Sequence, residues 1–286
     1  MTTTGPALSL AAACLVLPLA VHAGEMDTEH LFAFTIGSDI GDPGDKELEG
    51  SLFARLGKRQ GTYAAGSQQL EIEYVPVAHL RLSGGPIAAY HDLRGVEGLD
   101  DRRQGEFQGL SFDVRYQLAD RSASPFGLAV DIEPRWSRVD DISGAPIDQY
   151  GVDLTLAVDR ELIANRLVAA LNLTWQPDGT RARPTGTWSN ESTLGAAGAL
   201  MAKIGSGLFL GGEARYLRNY DSIGPDHFQG HAFFLGPSVF ANLSERCWLA
   251  FGWSMQVAGR SVDDPAMLDL VRFERHQVRL NFGVNF

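Results

Sequence analysis

Histidines and carboxylates that stand close in the chain are where chemistry would begin, and three such sets occur. His227 and His231 stand four apart near Asp221 and Asp226, a spacing that can bring two imidazoles to one metal ion, but no clear third ligand accompanies them. They read better as loop histidines. The acidic pairs Asp100–Asp101, Asp140–Asp141 and Asp263–Asp264 fall in polar stretches and read as solvated loop charge, able at most to share divalent ions with lipopolysaccharide. His276 and Glu274, near the chain end, are read on the barrel's lipid-facing side, where a hydrolase of membrane lipid would need them, but no serine partner can be identified. There is no G-x-S-x-G and no H-E-x-x-H, and "GSLFARLG" places six residues between its glycines, which fails the phosphate-loop spacing. The expectation is a protein that is not an enzyme and carries neither cofactor nor metal.

Elements able to place charged side chains elsewhere must then be sought. The chain has 24 Lys and Arg against 35 Asp and Glu, a formal net charge of −11, which excludes nucleic acid as a partner because phosphate binding needs basic surface. An apolar run, "ALSLAAACLVLPLAV" from Ala7 to Val21, closes on "VHA" before Gly24, an A-x-A-like cleavage site. Residues 1–23 are read as a secretory signal peptide, although "MTTTGP" lacks the usual basic residue. Its removal takes Cys14 and leaves Cys247 alone, so no disulfide can form within one subunit. No later run reaches the roughly 20 apolar residues that a membrane-spanning helix requires.

Alternation replaces such runs. "FQGLSFDVRYQL" sets Leu110, Phe112, Val114, Tyr116 and Leu118 against Ser111, Asp113, Arg115 and Gln117, the period-2 pattern of a strand with two unlike faces. "FGLAVDIEPRW", "QYGVDLTLAVD", "LVAALNLTW", "LGAAGALMAKI", "LFLGGEARY", "FFLGPSVFANL" and "CWLAFGWSMQV" repeat it, and "KELEGSLFARLG", "SQQLEIEYV" and "HLRLSGGPIAAY" precede them. With the terminal "HQVRLNFGVNF" the pattern predicts about 12 strands. Connections such as "VPVA", "ADRSASP", "RELIANR", "GSG" and "SER" read as tight turns. They alternate with long polar stretches such as "HDLRGVEGLDDRRQGE", "PDGTRARPTGT" and "GRSVDDPAMLDLVR". Short turns at one end and long loops at the other, with Trp136, Tyr150, Trp175, Trp188 and Tyr216 where strands meet long loops, are features of a membrane-spanning barrel with an aromatic girdle.

Val278, Leu280, Phe282, Val284 and Phe286 fall on one face of the last strand, which ends the chain on an aromatic residue. That strand resembles the assembly signal of Gram-negative outer-membrane β-barrel proteins. The resemblance implies insertion by the barrel-assembly machinery, a place in the bacterial outer membrane, and contact with outer-membrane lipid and lipopolysaccharide. The expected fold is an all-β, transmembrane, antiparallel, up-and-down β-barrel over residues 47–286 with both termini periplasmic. The competing reading is a soluble periplasmic sandwich or lipocalin-like barrel, which leaves the loop asymmetry unexplained.

If the apolar face meets lipid, the other face fills the lumen. Glu47, Glu49 and Arg55 fall there, followed by Glu71, Glu73, Arg81, Asp113, Arg115, Asp131, Glu133, Arg135, Asp153, Glu213, Arg215, Arg275 and Arg279. About 12 strands spaced ~4.8 Å and tilted ~40° give a backbone radius of roughly 12 Å, a narrow lumen. Residues 24–46 are left as a periplasmic or lumenal segment, in which Phe32, Phe34 and Ile36 could form one more strand. The expected function is a channel or transporter passing small hydrophilic solutes. The alternatives are a sealed structural or adhesion-type barrel and, behind it, an outer-membrane lipid hydrolase.

Overall fold

Alternating side chains leave one strand face apolar and the other polar, and twelve such strands can hide every edge only by closing on themselves. The computed structural model describes residues 26–286 and shows that closure. The expected leader, residues 1–23 with Cys14, lies outside the described residues. The strands are β1 (Lys46–Leu56), β2 (Thr62–Val77), β3 (Leu80–Arg94), β4 (Arg102–Ala119), β5 (Gly127–Val139) and β6 (Pro146–Ile163). They continue with β7 (Leu167–Ala182), β8 (Trp188–Gly205), β9 (Leu208–Tyr220), β10 (Phe228–Asn242), β11 (Cys247–Ser261) and β12 (His276–Asn285). Each pairs antiparallel with its sequence neighbours, and β1 closes the barrel on β12 from Glu47↔Asn285 to Leu56↔His276. The described residues contain no helix.

The faces divide as the period-2 pattern requires. Ile72 is 65% exposed while Glu73, its neighbour in β2, is 4% exposed. Leu110, Phe112, Tyr116, Leu171, Leu173, Leu210 and Phe251 join Ile72 on an outward apolar belt, and Tyr150, Trp175, Trp188 and Tyr216 are exposed in it as a girdle needs. In water such a belt would be a large unpartnered apolar surface; in a bilayer it is solvated by lipid. It places this barrel in a membrane. Val278 to Phe286 lie on the same face, with Phe286 70% exposed at the rim.

Antiparallel pairing of an even number of strands puts both chain ends at one end of the barrel, here the terminal end. Its connections are residues 78–79, 120–126, 164–166, 206–207 and 243–246. Gly207 takes φ 66° in one of the two two-residue turns, a conformation a β-carbon would strain. At the opposite end stand residues 57–61, 95–101, 140–145, 183–187, 221–227 and 262–275. Residues 95–101, 140–145, 183–187 and 221–227 are shorter than the long loops expected there, whereas 262–275 keeps its full length. Strand pairing runs on through polar residues, so that β7 and β8 hold Arg181↔Trp188 beyond the apolar zone. Ladder hydrogen bonds are indifferent to side-chain polarity, so hydropathy underestimates strand length there.

Candidate functional site

The lumen is entered from the terminal end by the residues that precede β1. Met26, Leu31 and Phe32 pack against Val168, Ala170, Met201, Phe209, Phe240, Trp248 and Ala250, an apolar patch on the inner wall near the terminal end. An irregular segment in a lumen must find partners for its backbone, and the wall supplies them. The Glu213 carboxylate accepts the N–H groups of Ala33 (2.8 Å), Phe34 (3.0 Å) and Thr35 (2.7 Å). Asn172 accepts from Ile36 N at 2.7 Å and donates to Ile36 O at 2.9 Å. Asp159 accepts from Ser38 N at 2.6 Å and from Thr28 Oγ1 at 2.8 Å, with Arg121 Nε 3.0 Å away. Opposite Phe34, β11 carries Gly252, where a β-carbon would stand 2.6 Å from Ala33 Cβ. A strand glycine here marks the close approach of another backbone. The segment is therefore a lumenal plug and adds no strand to the barrel.

Above the plug lies a cavity of about 520 Å³, and below it a vestibule of about 820 Å³ opens among Asp39, Lys46, Glu47, Lys203, Asn242 and Glu245. Glu29, His30 and Trp248 border both, so the plug is the partition between them.

Of the lumen residues expected from sequence, Glu71, Arg81, Asp113, Arg115, Asp131, Glu133, Arg135, Asp153, Arg215 and Arg279 line the upper cavity. Glu73 faces the vestibule. Glu213 is buried beneath the plug it holds. Arg275 is a correction: it is exposed in the 262–275 connection and lines neither space, because the loop releases the chain from strand alternation until His276. A second correction separates Glu274 from His276. The carboxylate is buried toward the lumen, whereas the imidazole stacks on outward-facing Trp253 at 5.8 Å, so the two do not share the lipid face.

Charge is divided across the cavity. On β3 to β6 the arginines are paired: Arg81 with Glu73 (3.3 Å) and Asp113 (3.6 Å), Arg115 with Asp131 (2.8 Å), and Arg135 with Asp153 (3.2 Å). Among the described residues, Glu71 accepts from the hydroxyls of Ser111 (3.4 Å) and Ser83 (3.5 Å) and Glu133 from the Gln69 amide (3.4 Å), with no arginine at ion-pair distance. On β9 and β12, Arg215 lies 3.9 Å from the centre of the Phe34 ring and Arg279 5.7 Å from that of Phe53. Among the described residues neither has a carboxylate within ion-pair distance. The wall from β2 to β6 is thus acid-rich and the wall from β9 to β12 arginine-rich.

The opposite end is narrowed by connections that fold inward. Phe273 packs on Ala232 and Phe234, and Lys58 Nζ donates to the carbonyls of Val271 (3.0 Å) and Phe273 (2.7 Å). Burial lowers Lys58 to about 8. Asp141 reaches Arg55 at 2.6 Å from the 140–145 connection.

Of the two places the sequence leaves open for residues 24–46, periplasm or lumen, the described part takes the lumen; the apolar dock that receives it was not recognised from sequence. Signals existed: Val168, Met201, Phe209, Phe240 and Trp248 are apolar on the inner face, as an apolar lumen occupant requires.

Among solved structures, the fold matches an outer membrane channel of the COG4313 type from Pseudomonas putida F1, with TM-score 0.60 and 11% identity over 92% of this chain and 100% of that one. It also matches the NanC porin (TM-score 0.48, 11% identity, 84% and 98% covered) and the β-domain of the Bordetella autotransporter BrkA (0.48, 14%, 85% and 100%). Among curated proteins no sequence matches. A family profile matches residues 24–286, essentially all that would follow the leader, so the chain belongs to the family of unknown function DUF6662.

Proposed function

We propose that this barrel is an outer-membrane channel for small hydrophilic solutes whose path is divided by its own N-terminal segment. The carrying observation is the unfilled lumen: a cavity of about 520 Å³ lined by charged and amide side chains, separated from the vestibule only by the plug. A scaffold needing only stability would fill that space, since close-packed interiors leave few voids larger than a water molecule. The matched Pseudomonas putida barrel is itself a channel, which agrees with this reading.

The divided charge sets what should pass. A solute between the acid-rich and arginine-rich walls experiences a transverse field that orients dipoles and slows ions of either sign. Arg135→Ala and Arg279→Ala each leave acid in excess. In bilayers under a salt gradient, reversal potentials should therefore shift toward cation selectivity, and an unchanged potential in both variants contradicts the assignment. One observation favours a sealed barrel instead, namely that plug and inward-folded loops narrow both ends. Absence of current from the parent and from a plug-deleted chain would select it.

A further inference from the structure

The point where the plug crosses β1 and β2 concentrates negative charge. Register sets Glu47 opposite Glu73 and Glu49 opposite Glu71, two successive like-charge pairs on the inner face, and cross-strand like charges destabilise a sheet. The plug then brings Glu29 and His30 to the same place. Arg81 answers part of this charge, standing 3.4 Å from Glu29 Oε1 and 3.3 Å from Glu73 Oε2. Among the described residues, half-buried Glu49 has no cationic partner within ion-pair distance, and a carboxylate partly withdrawn from water favours a proton or a cation nearby.

His30 supplies the nitrogen that distinguishes this cluster from solvated acid. Its ring stacks on Trp248 at 4.2 Å, which fixes its plane. Its Nε2 lies 3.5 Å from Glu47 Oε2 and 3.6 Å from Glu29 Oε2, and among the described residues it makes no hydrogen bond. Those separations are long for a hydrogen bond but close to the roughly 3.4 Å between ligand atoms of a tetrahedron with ~2.05 Å metal bonds. The other oxygen of Glu47 accepts from Trp248 Nε1 at 2.9 Å, the kind of outer contact that orients a ligating carboxylate.

We propose that His30, Glu47 and Glu49 bind one divalent transition-metal ion. Their donor atoms lie within 4.8 Å of one another, as a single coordination sphere requires. The alternative triad, Glu29 with His30 and Glu73, shares His30 but is engaged by Arg81, so the ion belongs with β1. One imidazole with carboxylates suits zinc or its first-row neighbours and gives calcium no advantage. Such an ion would tie the plug to the barrel wall. The site itself does not depend on the channel reading.

The test is calorimetric titration of Zn²⁺ into the full chain, refolded in detergent and stripped with chelator, with folding followed by heat-modifiable gel mobility. One equivalent should bind. His30→Ala and Glu49→Gln should each weaken binding by about tenfold or more, while Asp263→Asn in the 262–275 connection should bind as the parent does. Glu49→Gln preserves side-chain size and decides the matter if His30→Ala does not fold. No saturable binding by the folded parent overturns the site, as does parental affinity in either folded site variant. Conductance is not read in this experiment, so its failure is distinct from failure of the channel reading.

Discussion

Three backbone N–H groups converge on the single carboxylate of Glu213, and among the described residues no other acidic group hydrogen-bonds the plug at Ala33 to Thr35. Hydrogen bonds to a charged acceptor contribute about 1.5–3 kcal/mol each, and their loss together leaves buried donors unmet. Glu213→Ala should therefore weaken docking by roughly 2–5 kcal/mol without opening the barrel. A spin label at position 42, in a Cys247→Ser background, should become mobile in that variant; an immobile label would show that Glu213 does not hold the segment. Asp39 adds a pH dependence. Burial, against the opposing pull of Arg121, raises it from 3.8 to about 6 in the docked plug. A group whose docked pKa is raised favours docking below its free value and loses that contribution as pH rises through the docked one. Label mobility should thus increase between about pH 4 and 6 and level off above. Asp39→Asn should flatten the profile, and a parent profile already flat across that window contradicts the assignment.

At the scale of strands, the outward faces are the part most legible from sequence. Apolar residues recur at every second position through most of β4 to β7, and that recurrence decides both strand identity and facing. Leu171, 49% exposed in β7, should sit in lipid. Leu171→Arg should cost about 2–4 kcal/mol of barrel stability, measured by urea titration in lipid vesicles, whereas an Arg at a lumen position such as Thr174 should cost much less. Equal costs at the two positions would mean the faces are misassigned. Strand ends were less legible. "PDGTRARPTGT" reads as loop by composition, yet β7 runs through Ala182 because backbone pairing continues where hydropathy stops. The plug was least legible: Phe32, Phe34 and Ile36 alternate like a strand, and only the apolar lumen patch that receives Leu31 and Phe32 shows that they dock on the wall. His30 carried no recognisable motif, since its partners Glu47 and Glu49 come from β1 and are joined to it only by the reversal of the chain between Ser38 and Lys46.

For the whole molecule, closure accounts for most of what is seen. Twelve strands leave a lumen wider than their inward side chains fill, and the chain uses the surplus in two ways: twenty residues before β1 occupy part of it, and opposed acidic and basic walls border the rest. On the proposed channel reading, the plug is the part of this arrangement that separates the vestibule from the upper cavity. The most direct test is planar-bilayer recording of the refolded full chain beside a chain lacking residues 26–41. A channel partitioned by its N-terminal segment predicts discrete current steps in the parent and larger, less rectified steps when the segment is removed. Currents at background from both proteins, each folded by gel mobility, would contradict it.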